Sequence, residues 1–242
     1  MVIKSWIGRA VDLLFPRRCG FCGQPVKAET SVCERCKEEL PRILPPLCSF
    51  CGRGKASCTC RGKRRHFQRC VSPFYYEGLA KRGILRLKLY GKTYAAVSFA
   101  DAMAACVIRE YGGVVFDAVV PVPVSTSTLR DRGYNQSRLL ASGIAARLSC
   151  PVEEALVKIS ETAPQRGMPA AQRSGNVLGV FDRTEGHDVS GKTLLVVDDI
   201  LTTGATLDEC AKMLKLYGAR EIYAVTGAAA RLSDRKIGRA HV

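Results

Sequence analysis

The sequence predicts an α/β domain, with a mostly parallel sheet flanked by helices, preceded by a small cysteine-rich segment. The first observation is that continuous apolar runs such as Leu194 to Val197 alternate with helical patterns. This is typical of strands buried on both faces of a parallel sheet. The second is that eight of the 12 cysteines lie between Cys19 and Cys60. A chain of 242 residues is long enough for one such domain and a small appendage.

The chain is basic, with a formal net charge of +15. Residues 1–70 contain 15 Lys/Arg and five Asp/Glu, whereas residues 71–242 contain 22 and 17. This N-terminal excess favours polyanions, nucleic acid first and an anionic lipid surface second. The alternative is a basic protein that its charge keeps soluble. No apolar run approaches the ~20 residues of a membrane span. Residues 2–15 carry charges inside them, which makes a poor signal peptide. We therefore expect a cytoplasmic protein, for which association with a membrane through partners is an alternative.

Residues 1–16 have a helical apolar pattern that ends at Pro16. The apolar residues on one face are Ile3, Trp6, Ile7, Ala10, Val11 and Leu14. We expect an amphipathic helix docked on the rest of the chain. A membrane-surface role is the weaker alternative, because the polar face is not strongly cationic.

Residues 17–60 carry their cysteines in four close pairs: Cys19/Cys22, Cys33/Cys36, Cys48/Cys51 and Cys58/Cys60. A C-x-x-C turn makes two sulfur atoms converge, and four thiolates close a tetrahedral structural zinc site. Clustering in a chain with no predicted export signal favours metal over disulfides. We therefore predict a double zinc ribbon with one or two structural zinc ions. The sequence leaves open whether the pairs combine in order or crosswise, and a redox dithiol at one pair is the minor alternative.

Residues 61–70 are interpreted as a basic linker, with five cations in residues 61–69. Next to a zinc ribbon, Lys63, Arg64 and Arg65 are candidate nucleic-acid contacts. A solvated connection between two domains is an equally good interpretation.

Residues 71–231 are predicted to form the α/β domain. Strands are expected at 71–76, 114–124, 152–159, 194–197 and 220–226, and helices at 79–90, 95–111, 137–148 and up to Leu216. Residues 227–230 are expected to be a small-residue tail. Residues 160–179 form a polar loop long enough for a lid. The last heptapeptide matches a translated sequencing adapter, so residues 232–242 are expected to be an artefactual tail.

Two adjacent carboxylates, Asp198 and Asp199, follow the apolar run of the strand at 194–197. A hydroxyl- and glycine-rich turn comes next, before a helix: Thr202, Thr203, Gly204, Ala205 and Thr206. Free backbone N–H groups at a helix N-terminus suit a phosphate, and the carboxylates suit vicinal hydroxyls or Mg²⁺. A sugar phosphate satisfies both. An ordinary capped turn, the alternative, does not need adjacent aspartates. A second candidate anion site contains Arg130 and Arg132, between a strand and a helix.

These motifs in this order resemble the ComF family, in which a double zinc ribbon precedes a type I phosphoribosyltransferase domain. The motifs are the cysteine pairs, Val-Pro-Val-Pro from Val120, Arg-x-Arg-Gly-Tyr-Asn-Gln from Arg130, the loop residues Gln165, Arg173 and Asn176, and the acidic block. The resemblance covers residues 1–231. It implies a type I phosphoribosyltransferase fold in residues 71–231 and a role in the uptake and processing of transforming DNA.

The resemblance also implies a ligand, 5-phosphoribosyl-1-diphosphate (PRPP) with magnesium. Asp198 and Asp199 would be the catalytic pair that holds the ribose hydroxyls, directly or through Mg²⁺. Residues 202–206 would cradle the 5-phosphate. Val124 and Ser125 would lie in the diphosphate loop, assisted by Arg130 and Arg132. Thr202 departs from hypoxanthine-type enzymes, which carry a carboxylate there, and this weakens a purine-salvage role.

Three functions remain open at this stage. One is a PRPP-dependent transferase that acts with nucleic acid. This pentosyl transfer is favoured because the residues of the PRPP motif are all present. The others are a non-catalytic DNA-uptake adaptor that senses nucleotides and a nucleobase salvage enzyme. The expected partners are PRPP, single-stranded DNA and other competence proteins. The sequence does not indicate the ribosyl acceptor.

Overall fold

The computed structural model describes residues 17–27, 29–58, 60, 65–159 and 180–231. Several predicted features lie outside these residues: the N-terminal helix of residues 1–16, Lys63 and Arg64, the loop at 160–179, and the tail at 232–242. Among the described helices, none is long and apolar enough to cross a membrane.

The described chain contains both helices and strands, as the sequence predicts. The helices are α1 (Glu34–Glu39), α2 (Gly78–Leu89), α3 (Ala95–Glu110), α4 (Thr126–Arg132), α5 (Gln136–Leu148) and α6 (Ala205–Leu216), with a 3₁₀ turn at Lys55–Ser57. The strands are β1 (Cys70–Val71), β2 (Phe74–Tyr75), β3 (Ala118–Pro121), β4 (Leu156–Lys158), β5 (Phe181–Arg183), β6 (Thr193–Leu201) and β7 (Glu221–Ala229).

A five-stranded parallel sheet forms the centre, in the order β1-β7-β6-β3, and β2 also pairs with β7. Alternate residues of β6 face two different cores, because successive strand side chains point to opposite faces. Leu195 and Val197 pack into the core that contains residues of α2, α3 and α5. Leu194 and Val196 pack into the core that contains residues of α6 and β5. The predicted α/β class is therefore confirmed.

The two central strands extend further than the sequence predicts. β6 continues through both carboxylates to Leu201, and β7 continues to Ala229 through the predicted small-residue tail. The small residues allow this close pairing, because a Cβ on Gly227 would lie 3.0 Å from the Asp199 carbonyl oxygen. The acid pair therefore lies within the last part of the strand, with Asp198 opposite Thr226.

Other predicted strands are shorter. The strand at 71–76 is divided into β1 and β2 around Pro73, which has no N–H group to donate to a sheet. The strand at 114–124 is reduced to β3. The strand at 152–159 is reduced to β4, which pairs only with β5 in a separate antiparallel ribbon. Helix α4 is absent from the sequence prediction; the Ser125 hydroxyl caps its start, and Gly133 ends it with a φ of +79°.

The first cysteine segment shares its core with the α/β domain. Phe21 is buried, with its ring centroid 5.4 Å from that of Phe74 and 4.8 Å from that of Phe99. Gly20 lies directly on α3, where an added Cβ would come within 2.4 Å of the Ser98 hydroxyl oxygen. That hydroxyl donates a hydrogen bond to the Ser31 carbonyl, at 2.6 Å. The ribbon is thus packed onto the domain rather than tethered beside it.

Candidate functional site

The candidate site lies at the carboxyl edge of the parallel sheet, where β6 ends. Thr202 and Thr203 follow the strand, and Gly204 turns the chain into α6 with a φ of +81°. Left-handed backbone of this kind favours glycine. The predicted phosphate loop therefore occupies the N-terminus of a 12-residue helix, whose first N–H groups have no partner inside the helix.

Asp198 is held from two sides. Its Oδ1 accepts hydrogen bonds from the Ser137 hydroxyl at 3.1 Å and from the Asp199 backbone N–H at 2.8 Å. The side chain is almost fully buried, with 9% exposure. Burial, and then the charge of Asp199, raise the pKa of Asp198 to about 7. The carboxyl group is therefore poised to change its protonation near neutral pH.

Replacing Asp198 by Asn is expected to remove a pH dependence from folding. The pKa of about 7 exceeds the roughly 3.9 of an unfolded aspartate, so the folded protein holds an extra proton between these values. The stability from this group is therefore present below about pH 4 and lost as the pH rises through about 7. Urea unfolding without ligands measures the free energy of unfolding of both proteins. From about pH 5.5 to about pH 8, the value for the variant should rise relative to the native value by on the order of 1–4 kcal/mol.

The cysteine groups are the same in both proteins, so their titration cancels from this comparison. An equal stability difference at both pH values would show that burial does not keep Asp198 protonated.

Asp199 has an oxygen that is poorly satisfied. Its Oδ2 is buried, and no described residue forms a hydrogen bond with it. The Lys88 ammonium of α2 lies 3.3 Å from this oxygen as an ion pair. A buried carboxylate oxygen without a hydrogen bond suits a hydroxyl donor or a metal cation. The pair therefore fits the ribose hydroxyls or magnesium that the sequence motif predicts.

The segment after β3 runs beside the acid pair. Pro121 pairs with Val197, so Val124 and Ser125 lie just beyond the level of the carboxylates. The Ser125 hydroxyl accepts the Thr128 N–H at 3.2 Å and so caps α4. Arg130 lies exposed on α4.

The side-chain amides and the second arginine of this segment interact at the start of α5. Asn135 caps that helix by accepting the Ser137 N–H at 2.9 Å, and its amide donates to the Val122 carbonyl at 3.0 Å. Arg132 donates to the Gln136 side chain. These contacts bring Ser137 against Asp198, which makes them supports of the site.

The eight paired cysteines form two groups. The sulfur atoms within each group lie within 4.8 Å of one another, and the groups are Cys19/Cys22/Cys33/Cys36 and Cys48/Cys51/Cys58/Cys60. The pairs therefore combine in order, which answers the question that the sequence leaves open. Four cysteines in tetrahedral reach suit a structural zinc ion, with no position left for a substrate.

The backbone of the C-x-x-C turns favours a thiolate at the first cysteine of each group. Burial by itself raises the pKa of Cys19, but N–H groups of Cys22, Cys33 and Phe21 outweigh it and lower the pKa to about 7. Cys48 shows the same balance, and its pKa is also lowered to about 7. Burial instead raises the pKa of Cys22, Cys36, Cys58 and Cys60. Metal binding requires deprotonated thiols, so a metal ion would have to displace the protons of these four.

The basic segment is partly described. Arg65 faces the phosphate loop, where its Nη2 donates to the Thr203 carbonyl at 2.6 Å. Its Nη1 lies 3.4 Å from a carboxylate oxygen of Asp208 in α6. Arg65 thus contacts the loop, while Lys63 and Arg64 lie outside the described residues.

Sequence reasoning missed Lys88, Ser137 and Arg53. Ser137 directly follows the Asn-Gln pair, so the motif could have extended to it. Lys88 is one of several cations on α2, and Arg53 follows a cysteine knuckle; neither position carries a local signal of its contacts.

The comparisons with known proteins agree with this architecture. The model of the phosphoribosyl transferase domain matches residues 135–241, and that of the double zinc ribbon domain matches residues 10–72. The DNA utilization protein YhgH of Salmonella typhimurium is 31% identical over 208 residues, which cover 84% of this chain and 86% of the relative.

Two competence proteins are also similar. Competence protein F of Haemophilus influenzae is 26% identical, covering 86% of this chain and 95% of the relative. Competence protein ComFC of Bacillus subtilis is 26% identical, covering 78% of this chain and 80% of the relative. A double zinc ribbon with two cysteine groups is followed along the chain by a type I phosphoribosyltransferase fold, and the similar proteins share most of this length. The chain therefore belongs to the ComF family.

Proposed function

We propose that the protein binds PRPP with magnesium at the end of β6 and transfers its phosphoribosyl group during DNA utilization. One observation carries the proposal: two buried, adjacent aspartates lie near the carboxyl end of a central strand, which leads into a glycine turn at a helix N-terminus. Parallel α/β sheets bind ligands at this edge. The carboxylates suit the ribose hydroxyls, and the turn suits the 5-phosphate.

Each part of the donor has a matching part of the chain. The buried Oδ2 of Asp199 has Lys88 as an ion-pair partner but no hydrogen bond from a described residue, and a ribose hydroxyl would donate one. Residues 202–206 offer backbone N–H groups and hydroxyls to the 5-phosphate. Val124 and Ser125 follow β3 beside the acid pair, within reach of the diphosphate, with Arg130 and Arg132 on the helix that starts there. Oxygen ligands around the acid pair fit magnesium, which would neutralise charge on the departing diphosphate.

The chemistry at this site would be substitution at C1 of the ribose. The bond from C1 to the diphosphate breaks, and a bond from C1 to a nucleophilic atom of the acceptor forms. Positive charge builds at C1 and negative charge on the leaving diphosphate during this exchange. Asp198 and Asp199 would fix the ribose ring during this step. Lys88, which lies 3.3 Å from Asp199, would add positive potential on the same side.

The position of Thr202 bears on the acceptor. A salvage enzyme of the hypoxanthine type needs a carboxylate there as a base, and a threonine cannot serve as one. The relatives carry names that refer to DNA utilization and competence, and the N-terminal third of this chain is strongly basic. Both support single-stranded DNA and competence proteins as partners rather than a free purine.

Diphosphate release from PRPP tests the activity. With Mg²⁺ and single-stranded DNA, the native protein should release diphosphate, and the Asp198→Asn, Asp199→Asn double variant should lose at least 100-fold in rate, which corresponds to about 2.7 kcal/mol. Asp188→Asn is the matched control, because its carboxylate only accepts a turn N–H, from Ser190 at 2.9 Å.

The outcomes separate the candidate functions. Release with free bases but not with DNA would identify a salvage enzyme. PRPP binding without release under any condition would identify an adaptor that senses the ligand. Equal rates for the native protein and the double variant would contradict the assignment of the site.

A further inference from the structure

Arg53 connects the second cysteine group to the phosphate loop. It follows Cys51 and Gly52 and is buried, with 3% exposure. Its guanidinium donates hydrogen bonds to three backbone carbonyls: Leu201 at 3.0 Å, Thr202 at 2.6 Å and Ala230 at 2.8 Å. Leu201 ends β6, and Thr202 begins the loop. An arginine of the ribbon therefore fixes the backbone where the strand becomes the loop.

The position of Arg53 is set by the cysteine turn. The Arg53 carbonyl accepts the Cys48 N–H at 2.7 Å, and the Cys48 carbonyl accepts the Gly52 N–H at 3.1 Å. Gly52 has a φ of +66° and lies so close to β1 that an added Cβ would meet the Cys70 carbonyl oxygen at 2.5 Å. The Cys70 N–H in turn donates to the Phe50 carbonyl at 2.8 Å. The turn is thus pressed against the sheet, and Arg53 projects from it.

Arg65 continues the same row of contacts. It donates to the Thr203 carbonyl, so two arginines together hold the carbonyls of three successive residues, 201 to 203. In a trans peptide, the C=O of one residue and the N–H of the next point in opposite directions. Holding these carbonyls from the ribbon side therefore directs the N–H groups of residues 202 to 204 away from it. That is the arrangement a bound phosphate requires.

We infer that Arg53 is a positioning residue for the phosphate loop, through which the second cysteine group presets the loop for a phosphate monoester. The inference rests on the proposed function of that loop. It gives the second ribbon a role that the first does not share, because the first packs on α3 and the aromatic core. Metal loss at Cys48/Cys51/Cys58/Cys60 would free the turn, and with it Arg53, and so weaken phosphate binding.

The Arg53→Met variant tests this, because methionine keeps an unbranched stem but donates no hydrogen bond. Ribose 5-phosphate would contact the phosphate loop and the acid pair, whereas inorganic diphosphate with Mg²⁺ would contact the acid pair and the diphosphate loop but not the phosphate loop. Calorimetry should show the affinity for ribose 5-phosphate reduced by about tenfold or more, with diphosphate affinity changed by less than about twofold. Zinc content should stay at the native value.

Arg69→Met is the matched control. Arg69 is also partly buried and donates to a carbonyl, that of Glu110 at 3.1 Å, but it lies before β1 at the opposite edge of the sheet. The Arg69→Met variant should bind ribose 5-phosphate and diphosphate with the native affinities. Arg53→Lys, which keeps one donor group, should recover part of the ribose 5-phosphate affinity, and it replaces the methionine variant if that protein does not fold.

Hydrogen exchange gives a measurement that needs no ligand. Arg53→Met should speed exchange in residues 199–207 and at Ala230, whose N–H is bonded to the Leu201 carbonyl at 2.9 Å. Unchanged exchange there, or an equal loss of affinity for both probes, would overturn the positioning role. If the native protein binds no ribose 5-phosphate, the proposed function fails, and the exchange result still decides the role of Arg53.

Discussion

The Asp198→Asn, Asp199→Asn double variant should lose PRPP binding while both cysteine groups keep their zinc. The substitutions conserve shape but remove both acid groups from the place where the ribose hydroxyls and magnesium are expected. Hydrogen bonds to charged groups contribute about 1.5–3 kcal/mol each, so affinity should fall at least 100-fold. Calorimetric titration of PRPP in the presence of Mg²⁺ measures this.

Asp188→Asn should bind PRPP like the native protein in the same titration. The zinc content of the double variant should also match the native value, because Asp198 and Asp199 belong to neither cysteine group. Native affinity in the double variant would place the PRPP site elsewhere on the molecule. A loss of zinc would mean that the substitutions disturb the fold as a whole.

Cys36→Ser should remove one zinc ion and strongly destabilise the protein. Cys36 is fully buried, and the segment it anchors places Phe21 between Phe74 and Phe99. Unfolding of this segment would therefore expose the aromatic core of the α/β domain as well as the ribbon itself. We expect zinc content to fall by one equivalent and the free energy of unfolding to fall by more than about 3 kcal/mol.

Metal analysis together with urea unfolding checks both parts of this expectation. Cys150→Ser is the matched control, because Cys150 belongs to neither cysteine group and should keep the full zinc content. If Cys36→Ser kept native stability after losing its zinc, the first ribbon would be an independent appendage rather than part of the core.

The sequence was informative where the chemistry is local. Asp198, Asp199 and residues 202–206 are contiguous, so one strand–turn–helix pattern reveals them. The cysteine pairs are also local, but their combination is a matter of three-dimensional folding, which left the pairing open. Element positions followed from apolar periodicity, except where proline interrupts pairing or small residues such as Gly227 allow a strand to continue.

The contacts that complete the site join distant parts of the chain. Lys88 reaches Asp199 from another helix, Ser137 reaches Asp198, and Arg53 reaches Thr202 across 149 positions. Each of these residues has an ordinary local setting, in a cationic helix, after a capping amide or after a cysteine turn. Their roles depend on which surfaces pack together, and no periodic pattern encodes that.

A crystal structure with PRPP, and with Mn²⁺ in place of magnesium, would show where the donor binds, because anomalous scattering locates the metal. We predict the ribose hydroxyls or the metal at Asp198 and Asp199, and the 5-phosphate against the N–H groups of residues 202–206. PRPP bound away from the end of β6, or this edge of the sheet left empty at saturating PRPP, would rule out a PRPP site at Asp198 and Asp199.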